Sequence, residues 1–382
     1  MVKVLLIVPR EIAVGGVEAY IANTYSHMNL SDISVDVFAP ARIPPENCFV
    51  SKWREIGFTI YEHPIEGGRV KRLFSLGWSL YHFLKSHHYD IVHTHITGMT
   101  LIATAILCAR IRKVPYRVVH SHFCIVSNNI FRKAVSSICR KVIVSCATDL
   151  TACSDGAAEY CFGKKAAKHA VIARNGIDAK KFCFHKNVRT RLRKQLELEN
   201  CFVIGHVGRF EEQKNHRFLL EIFRETVRRD ERARLLLIGA GSLEEEMRRL
   251  AERYHISEKV IFLGTTDVVE DYMCAMDIFV FPSLFEGLGI VSIEAQASGL
   301  PCVVADTVPR EAEITDRIEF LPLTAGADVW ADKLLQYHPD SYRKDRESAW
   351  HEVYDAGYDI LETAKTIQRI YEKAQENGRF CP

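Results

Sequence analysis

No apolar run in the 382 residues reaches the ~18 that a membrane-spanning helix requires, which excludes a spanning segment of that kind. The apolar opening, MVKVLLIVPR, is too short for a secretory signal and reads as a buried first strand. There is no Cys-x-x-Cys pair and no grouping of cysteine with histidine at metal-ligand spacing. The 12 cysteines are scattered through apolar segments, the pattern of reduced thiols in a cytoplasmic protein. The Gly-x-Gly-x-x-Gly fingerprint is missing, which argues against a dehydrogenase. Internal repeats and low-complexity segments are absent. Acids are nearly absent from one stretch: between Gly67 and Thr148, 12 Lys and Arg meet a single carboxylate, Asp90.

What is present describes a soluble globular chain of two ordinary domains, 48% apolar and 26% charged. The net charge of +2 hides a division. Through Phe184 there are 23 Lys and Arg against 13 Asp and Glu, while the remainder has 27 against 35. A basic N-terminal half points to an anionic partner. No nucleic-acid-binding module is recognisable, so nucleic acid is set aside and reversible contact with an anionic membrane is expected. Arg69, Lys71 and Arg72 open one helical segment in this stretch, and Arg132, Lys133, Arg140 and Lys141 flank another. The apolar residues from Leu73 to Leu84, which include Phe74 and Trp78, cover more than one helix face, and most of them are expected in the core.

Short β-rich apolar runs alternate with helical patterns. One series comprises Val2–Val8, Val35–Phe38, Ile91–His95, Tyr116–His120, Leu150–Ala152 and Ala170–Ile172. A second comprises Phe202–Val207, Ala233–Ile238, Val260–Phe262, Ile278–Phe281, Cys302–Val304 and Glu319–Leu321. Strands alternating with helices predict parallel sheets covered by helices, and two series predict two doubly wound α/β domains. The expected division is 1–180, 181–357 and a final helical segment 358–382. The joint is placed in the charged stretch Asp178–Asn200, after the Asn175-Gly176 turn.

Four segments carry chemistry. FPSLFEGLGIVSIEAQASGLP, Phe281–Pro301, runs from a strand through a loop bearing Glu286 into a helix bearing Glu294. Gly287 and Gly289 allow close approach of a ligand to backbone, and the free amides at the helix start, near Ile290 and Val291, form an anion site. Flanking carboxylates accept hydrogen bonds from sugar hydroxyls, so the segment suits a nucleotide-sugar. Gly208-Arg209-Phe210-Glu211-Glu212-Gln213-Lys214-Asn215 follows a strand and offers two cations, Arg209 and Lys214, that could grip a diphosphate. Gly15 and Gly16 follow the first strand, where a backbone could again approach a ligand. His93, His95, His120 and His122 cluster after two strands as two His-x-His pairs. No carboxylate or cysteine joins them, so no metal site is expected. Gly239-Ala240-Gly241 is expected to end a strand, begin a helix and wall the nucleotide site. Ser154 reads as a helix N-cap.

The Phe281–Pro301 string resembles the Glu-x7-Glu signature of the retaining glycosyltransferases of family 4. The Gly208–Asn215 string resembles that family's Gly-Arg-x4-Lys-Asn motif, and the run Asp306–Glu313 is similar to its exopolysaccharide and capsule members. The resemblance covers nearly the whole chain. It implies the two-domain GT-B fold, with Rossmann-like domains facing a cleft and a terminal helix crossing back to the first. It also implies a uridine-linked sugar nucleotide as donor, a glycan or lipid-linked sugar as acceptor, no metal or other cofactor, and the inner face of the cell membrane as place of action. Arg209 and Lys214 would neutralise the leaving diphosphate. Glu286 would hold sugar hydroxyls, Glu294 the ribose, Gly15 and Gly16 the glycine-rich loop, and His120 would lie against the transferred sugar. The family often has Asn after His-x-His, where Phe123 stands here. Two other readings use the same architecture: a non-hydrolysing sugar-nucleotide 2-epimerase, and a non-catalytic nucleotide-sugar-binding partner.

Overall fold

The computed structural model describes residues 1–9, 16–43, 48–122, 130–340 and 345–376. The chain forms two compact units, Met1–Gly176 with Ile360–Pro382, and Ile177–Asp359.

The first unit is built on seven parallel strands: β1 (Val2–Ile7), β2 (Ile33–Ala39), β3 (Thr59–Glu62), β4 (Ile91–Thr94), β5 (Tyr116–Ser121), β6 (Asp149–Ala152) and β7 (Val171–Ile172). Their order is β3-β2-β1-β4-β5-β6-β7. Six helices accompany them: α1 (Gly16–Ser26), α2 (Cys48–Glu55), α3 (Arg69–Ser86), α4 (Met99–Ile111), α5 (Ile130–Cys146) and α6 (Asp155–Ala167). Successive strand residues point to opposite faces. Leu5, Ile7, Val92 and Val119 therefore pack under α3, α4, α5 and α6 through Leu76, Ile102, Ile143 and Cys161. Val4, Leu6, Val35 and Val118 pack on the other face against Tyr20, Ile21 and Tyr25 of α1 and Trp53 of α2. Burial on both faces explains why these strands read as continuous apolar runs. Ser154 caps α6, its hydroxyl accepting from the Ala157 amide at 3.2 Å.

The second unit repeats the plan with six strands: β8 (Phe202–Val207), β9 (Ala233–Ile238), β10 (Val260–Gly264), β11 (Ile278–Phe281), β12 (Cys302–Ala305) and β13 (Ile318–Leu321), ordered β10-β9-β8-β11-β12-β13. Its helices are α7 (Lys186–Gln195), α8 (His216–Val227), α9 (Glu244–Arg253), α10 (Val269–Ala275), α11 (Ile290–Ala297), α12 (Ala327–Leu335) and α13 (Ala349–Val353). The last helix, α14 (Ile360–Glu376), belongs to the first unit, where Ile367 and Tyr371 enter the core shared with α1 and α2.

Both sheets turn back on themselves beside their first strand, at β1/β4 and at β8/β11. In open α/β sheets, ligands bind outside the carboxyl ends of strands at such a point. Three sequence expectations are revised. The joint lies at the Asn175-Gly176 turn itself and not within Asp178–Asn200: Arg189 and Arg193 of α7 both donate to Asp277, which also accepts from the Val203 amide at 2.8 Å, so α7 is tied into the second unit. Gly239-Ala240-Gly241 does not begin a helix, because α9 starts at Glu244. Phe74 and Trp78 are not core residues but are 76% and 72% exposed. Strand β3 was not anticipated. It is a four-residue edge strand with two exposed and two partly buried residues, so it lacks the apolar run that marks its neighbours.

Candidate active site

Within the second unit, the Arg209–Lys214 loop and the Glu286 loop meet beyond the ends of β8 and β11. Lys214 Nζ donates to Glu286 Oε1 at 2.6 Å and lies 4.6 Å from the centroid of the Phe281 ring. Three further bonds fasten the loops, one of them from Gln213 Nε2 to the Phe285 carbonyl at 2.9 Å. The Leu284 amide donates to the Gln213 carbonyl at 2.8 Å, and Asn215 Nδ2 donates to the Pro282 carbonyl at 3.1 Å. Asn215 takes the left-handed conformation (φ 56°) that ends the short 3-10 turn Glu212–Lys214 and starts α8. Asparagine tolerates it better than most residues. The pair Lys214–Glu286 is largely shielded from solvent, with side chains 16% and 8% exposed.

Arg209 is exposed, and no carboxylate among the described residues pairs with it. It leaves β8 beside Gly239, where a Cβ would lie 2.1 Å from the Gly208 carbonyl oxygen. Only glycine lets the β9 loop pass so near the backbone that carries Arg209. Gly289 (φ 76°) caps α11, placing the Ile290 and Val291 amides in its first turn. Those amides lack intrahelical acceptors by position and favour an anion. Gly287 lies on the exposed part of the same loop.

Glu294 lies one turn into α11. Burial pushes its carboxyl up to about 8; the Lys181 ammonium pulls the other way and the Glu270 carboxylate adds to the rise. Lys181 is itself held by Glu270 at 3.1 Å. A carboxyl shifted toward its protonated form can donate one hydrogen bond as well as accept others.

Two residues beneath the cation loop were not singled out from sequence. His206 at the end of β8 and His216 at the start of α8 are buried, with ring centroids 4.8 Å apart, and Phe210 stacks on His216 at 4.2 Å. Burial lowers His206 to about 4 and depresses His216 further, with Lys214 and, for His216, its neighbour His206 adding to the effect. Both rings are neutral supports, so the positive charge of the loop resides on Arg209 and Lys214. The signal was available: His206 interrupts the otherwise apolar run FVIGHV.

The histidine cluster of the first unit does assemble. His93 and His95 on and after β4, and His120 on β5, are buried, and their ring nitrogens lie within 4.8 Å of one another. His120 stacks with His95 and His122, at 5.2 and 4.4 Å, and Tyr20 covers it at 4.7 Å. His95 Nδ1 pairs with His122 Nε2 at 2.9 Å, while His93 Nδ1 meets the Tyr371 hydroxyl of α14 at 2.7 Å. Burial holds all four rings neutral, with His93 and His122 near 3. Both nitrogens of His120 are buried without a partner, so a polar ligand group would gain from meeting them. Gly16 opens α1 and is exposed; Gly15 and Phe123 lie outside the described residues.

Comparison with known proteins now places the chain. Residues 14–181 match the family described as Glycosyltransferase Family 4, and residues 201–338 match Glycosyl transferases group 1. EpsF of Bacillus subtilis (strain 168), named as a glycosyltransferase, is 29% identical over 95% of this chain and 94% of its own length. The UDP-Gal:alpha-D-GlcNAc-diphosphoundecaprenol alpha-1,3-galactosyltransferase of Escherichia coli is 26% identical over 77% of this chain and 78% of its own. The fold matches the crystal structure of Anabaena Alr3699/HepE in complex with UDP, with a TM-score of 0.74 and 17% identity over 98% of this chain and 100% of that one. With both halves of the chain matched, and relatives aligned along most of its length, this protein belongs to glycosyltransferase family 4 and has the GT-B fold.

Proposed function

We propose that this transferase moves a hexose, with retention, from a UDP-sugar to a lipid-linked sugar acceptor in the assembly of exopolysaccharide or capsule. The observation that carries the reading is the contact of Lys214 with Glu286 beside exposed Arg209 and the amide end of α11. That arrangement offers cations and amides to a diphosphate and a carboxylate to sugar hydroxyls. The uridine nucleotide is supported by a neighbour of the same fold crystallised with UDP, and the acceptor by an Escherichia coli relative named for a diphosphoundecaprenol-linked sugar.

The chemistry runs without a metal. The bond from the anomeric carbon to the diphosphate oxygen breaks while the acceptor oxygen bonds to the same face of that carbon. The acceptor's proton passes to the departing diphosphate. Arg209, Lys214 and the Ile290 and Val291 amides stabilise the charge that develops there. Glu286 orients the sugar, Glu294 holds the ribose, and Gly287 and Gly289 give the loop its close approach. His120 acts next to the transferred sugar. The protein works in the cytoplasm, in reversible contact with the inner face of an anionic membrane, where its acceptor resides.

A panel of sugar nucleotides tested by thermal shift identifies the donor, since a ligand that binds only the folded state raises the melting point. Transfer to a polyprenyl-diphosphate-linked sugar is then followed with and without EDTA. Undiminished transfer in EDTA is the expected result. Loss on chelation, restored by magnesium or manganese, overturns the metal-free chemistry. An isomerised sugar nucleotide formed without acceptor would identify the epimerase instead.

A further inference from the structure

Helices α3, α4 and α5 cover one face of the first unit's sheet and pack as neighbours. Cys108 Sγ of α4 donates to the Gly77 carbonyl of α3 at 3.6 Å, and Arg110 Nη1 of α4 donates to the Ser145 carbonyl of α5 at 2.6 Å. None of the three helices contains an Asp or Glu. Leu76, Leu80, Phe83 and Leu84 make the inner face of α3. A core helix of a soluble protein would carry polar residues opposite that stripe. Here the opposite side presents Val70, Phe74 and Trp78, four residues apart and 67, 76 and 72% exposed. The neighbouring helices also expose apolar side chains, Ile111 of α4 at 56% and Ile138 of α5 at 65%. Arg112 lies 5.1 Å from the Tyr81 ring centroid, bringing the end of α4 against the same part of α3.

The same three helices and the turn after α4 carry exposed cations, Lys71, Lys85, Arg110, Lys113, Lys133 and Lys141, none of which pairs with a carboxylate among the described residues. Nucleic acid would meet the charges but leave Phe74 and Trp78 in water. A bilayer with anionic headgroups meets both, with acyl chains for the apolar stripe and a negative surface for the cations. We infer that Val70, Phe74 and Trp78 of α3, with Ile111 of α4, insert into the acyl boundary of an anionic membrane. The membrane contact proposed above thus has an apolar component in addition to charge. This inference rests on that contact, and the two are separable by salt and by the depth of Trp78.

The intact chain is mixed with vesicles of phosphatidylcholine alone or of phosphatidylcholine with phosphatidylglycerol, some carrying lipids brominated on the acyl chains. The chain has four tryptophans, of which Trp53 and Trp330 are fully buried. With anionic vesicles, Trp emission should shift to the blue and be quenched by brominated lipid, and part of the binding should persist in high salt. Trp78→Phe should bind as well as the parent but lose the quenching. The double variant Phe74→Ser/Trp78→Ser should partition on the order of 10²-fold more weakly, since each large apolar side chain contributes a tenfold or greater factor when buried. An unchanged thermal shift with UDP shows that this variant remains folded. Salt-reversible binding without quenching would refute insertion and leave electrostatic contact standing. No binding to anionic vesicles would refute both. A wild-type dimer in sedimentation that the double variant abolishes would show the face to be a contact between copies of this chain, and would also overturn the inference.

Discussion

Replacing Glu286 by Gln keeps the size of the side chain and removes the charge that Lys214 holds at 2.6 Å. A solvent-exposed ion pair contributes about 0–1 kcal/mol, and breaking a fully buried one costs about 3–5 kcal/mol. This pair, with side chains 16% and 8% exposed, lies between, at about 2 kcal/mol. For a unit the length of Ile177–Asp359, each kcal/mol moves the melting point by about 2–4 °C, so Glu286→Gln should melt about 4–8 °C lower. Its affinity for bare UDP should move the other way. In the parent, Lys214 already has an anionic partner, and the incoming diphosphate meets that carboxylate as a like charge. At an effective dielectric of about 20 and a separation of about 8 Å, that repulsion is about 2 kcal/mol per unit charge. The variant should therefore bind UDP more tightly, by up to about 30-fold. The UDP-sugar should lose this gain, because its hydroxyls forfeit charged hydrogen bonds of about 1.5–3 kcal/mol. Transfer should fall with it. Calorimetry with UDP and with the full donor, beside a melting curve, reads all three quantities. If Glu286→Gln weakens bare UDP as much as it weakens the donor, Glu286 holds the nucleotide and the assignment fails. If the melting point does not move, the ion pair contributes nothing to folding stability.

Arg209→Ala should lower turnover strongly while leaving the melting point within about 1 °C, because an exposed cation with no carboxylate partner contributes little to stability; a large melting shift would show a structural role. His120→Ala should bind donor nearly as the parent does but transfer on the order of 10² more slowly, and ordinary turnover would make His120 a packing residue only. Burial raises Glu294 to about 8 in the folded state, above its unfolded value, so the folded chain binds the extra proton. Stability from this group is fully present below about pH 4.5 and is lost as pH rises through about 8. Glu294→Gln should remove that slope and gain stability relative to the parent at alkaline pH, as melting curves across the range will show; parallel curves would place Glu294 in a more solvated setting. Gly239→Ala would set a Cβ 2.1 Å from the Gly208 carbonyl oxygen, so it should destabilise the second unit by more than about 2 kcal/mol and weaken UDP binding by displacing Arg209.

Much of the architecture was legible in the chain because parallel strands buried on both faces leave uninterrupted apolar runs. Every strand of that kind, from Val2–Ile7 to Ile318–Leu321, stands within a residue or two of where the pattern puts it. The half-exposed edge strand Thr59–Glu62 lacks that run and passed unseen. The loop residues Arg209, Lys214, Glu286 and Glu294 were legible as motifs because glycines, strand ends and a helix start mark them locally. Tertiary structure decided what the motifs do to one another. Lys214 is held by Glu286 at a sequence distance of 72 residues, and no local pattern encodes that pairing. His206 and His216 are neutral supports because burial, a property of the whole unit, removes their charge. The same limit applied to α3. Its apolar residues cover more than one face, and composition could not say which of them the sheet would cover; the packing of Leu76 and Leu80 leaves Phe74 and Trp78 outside the core.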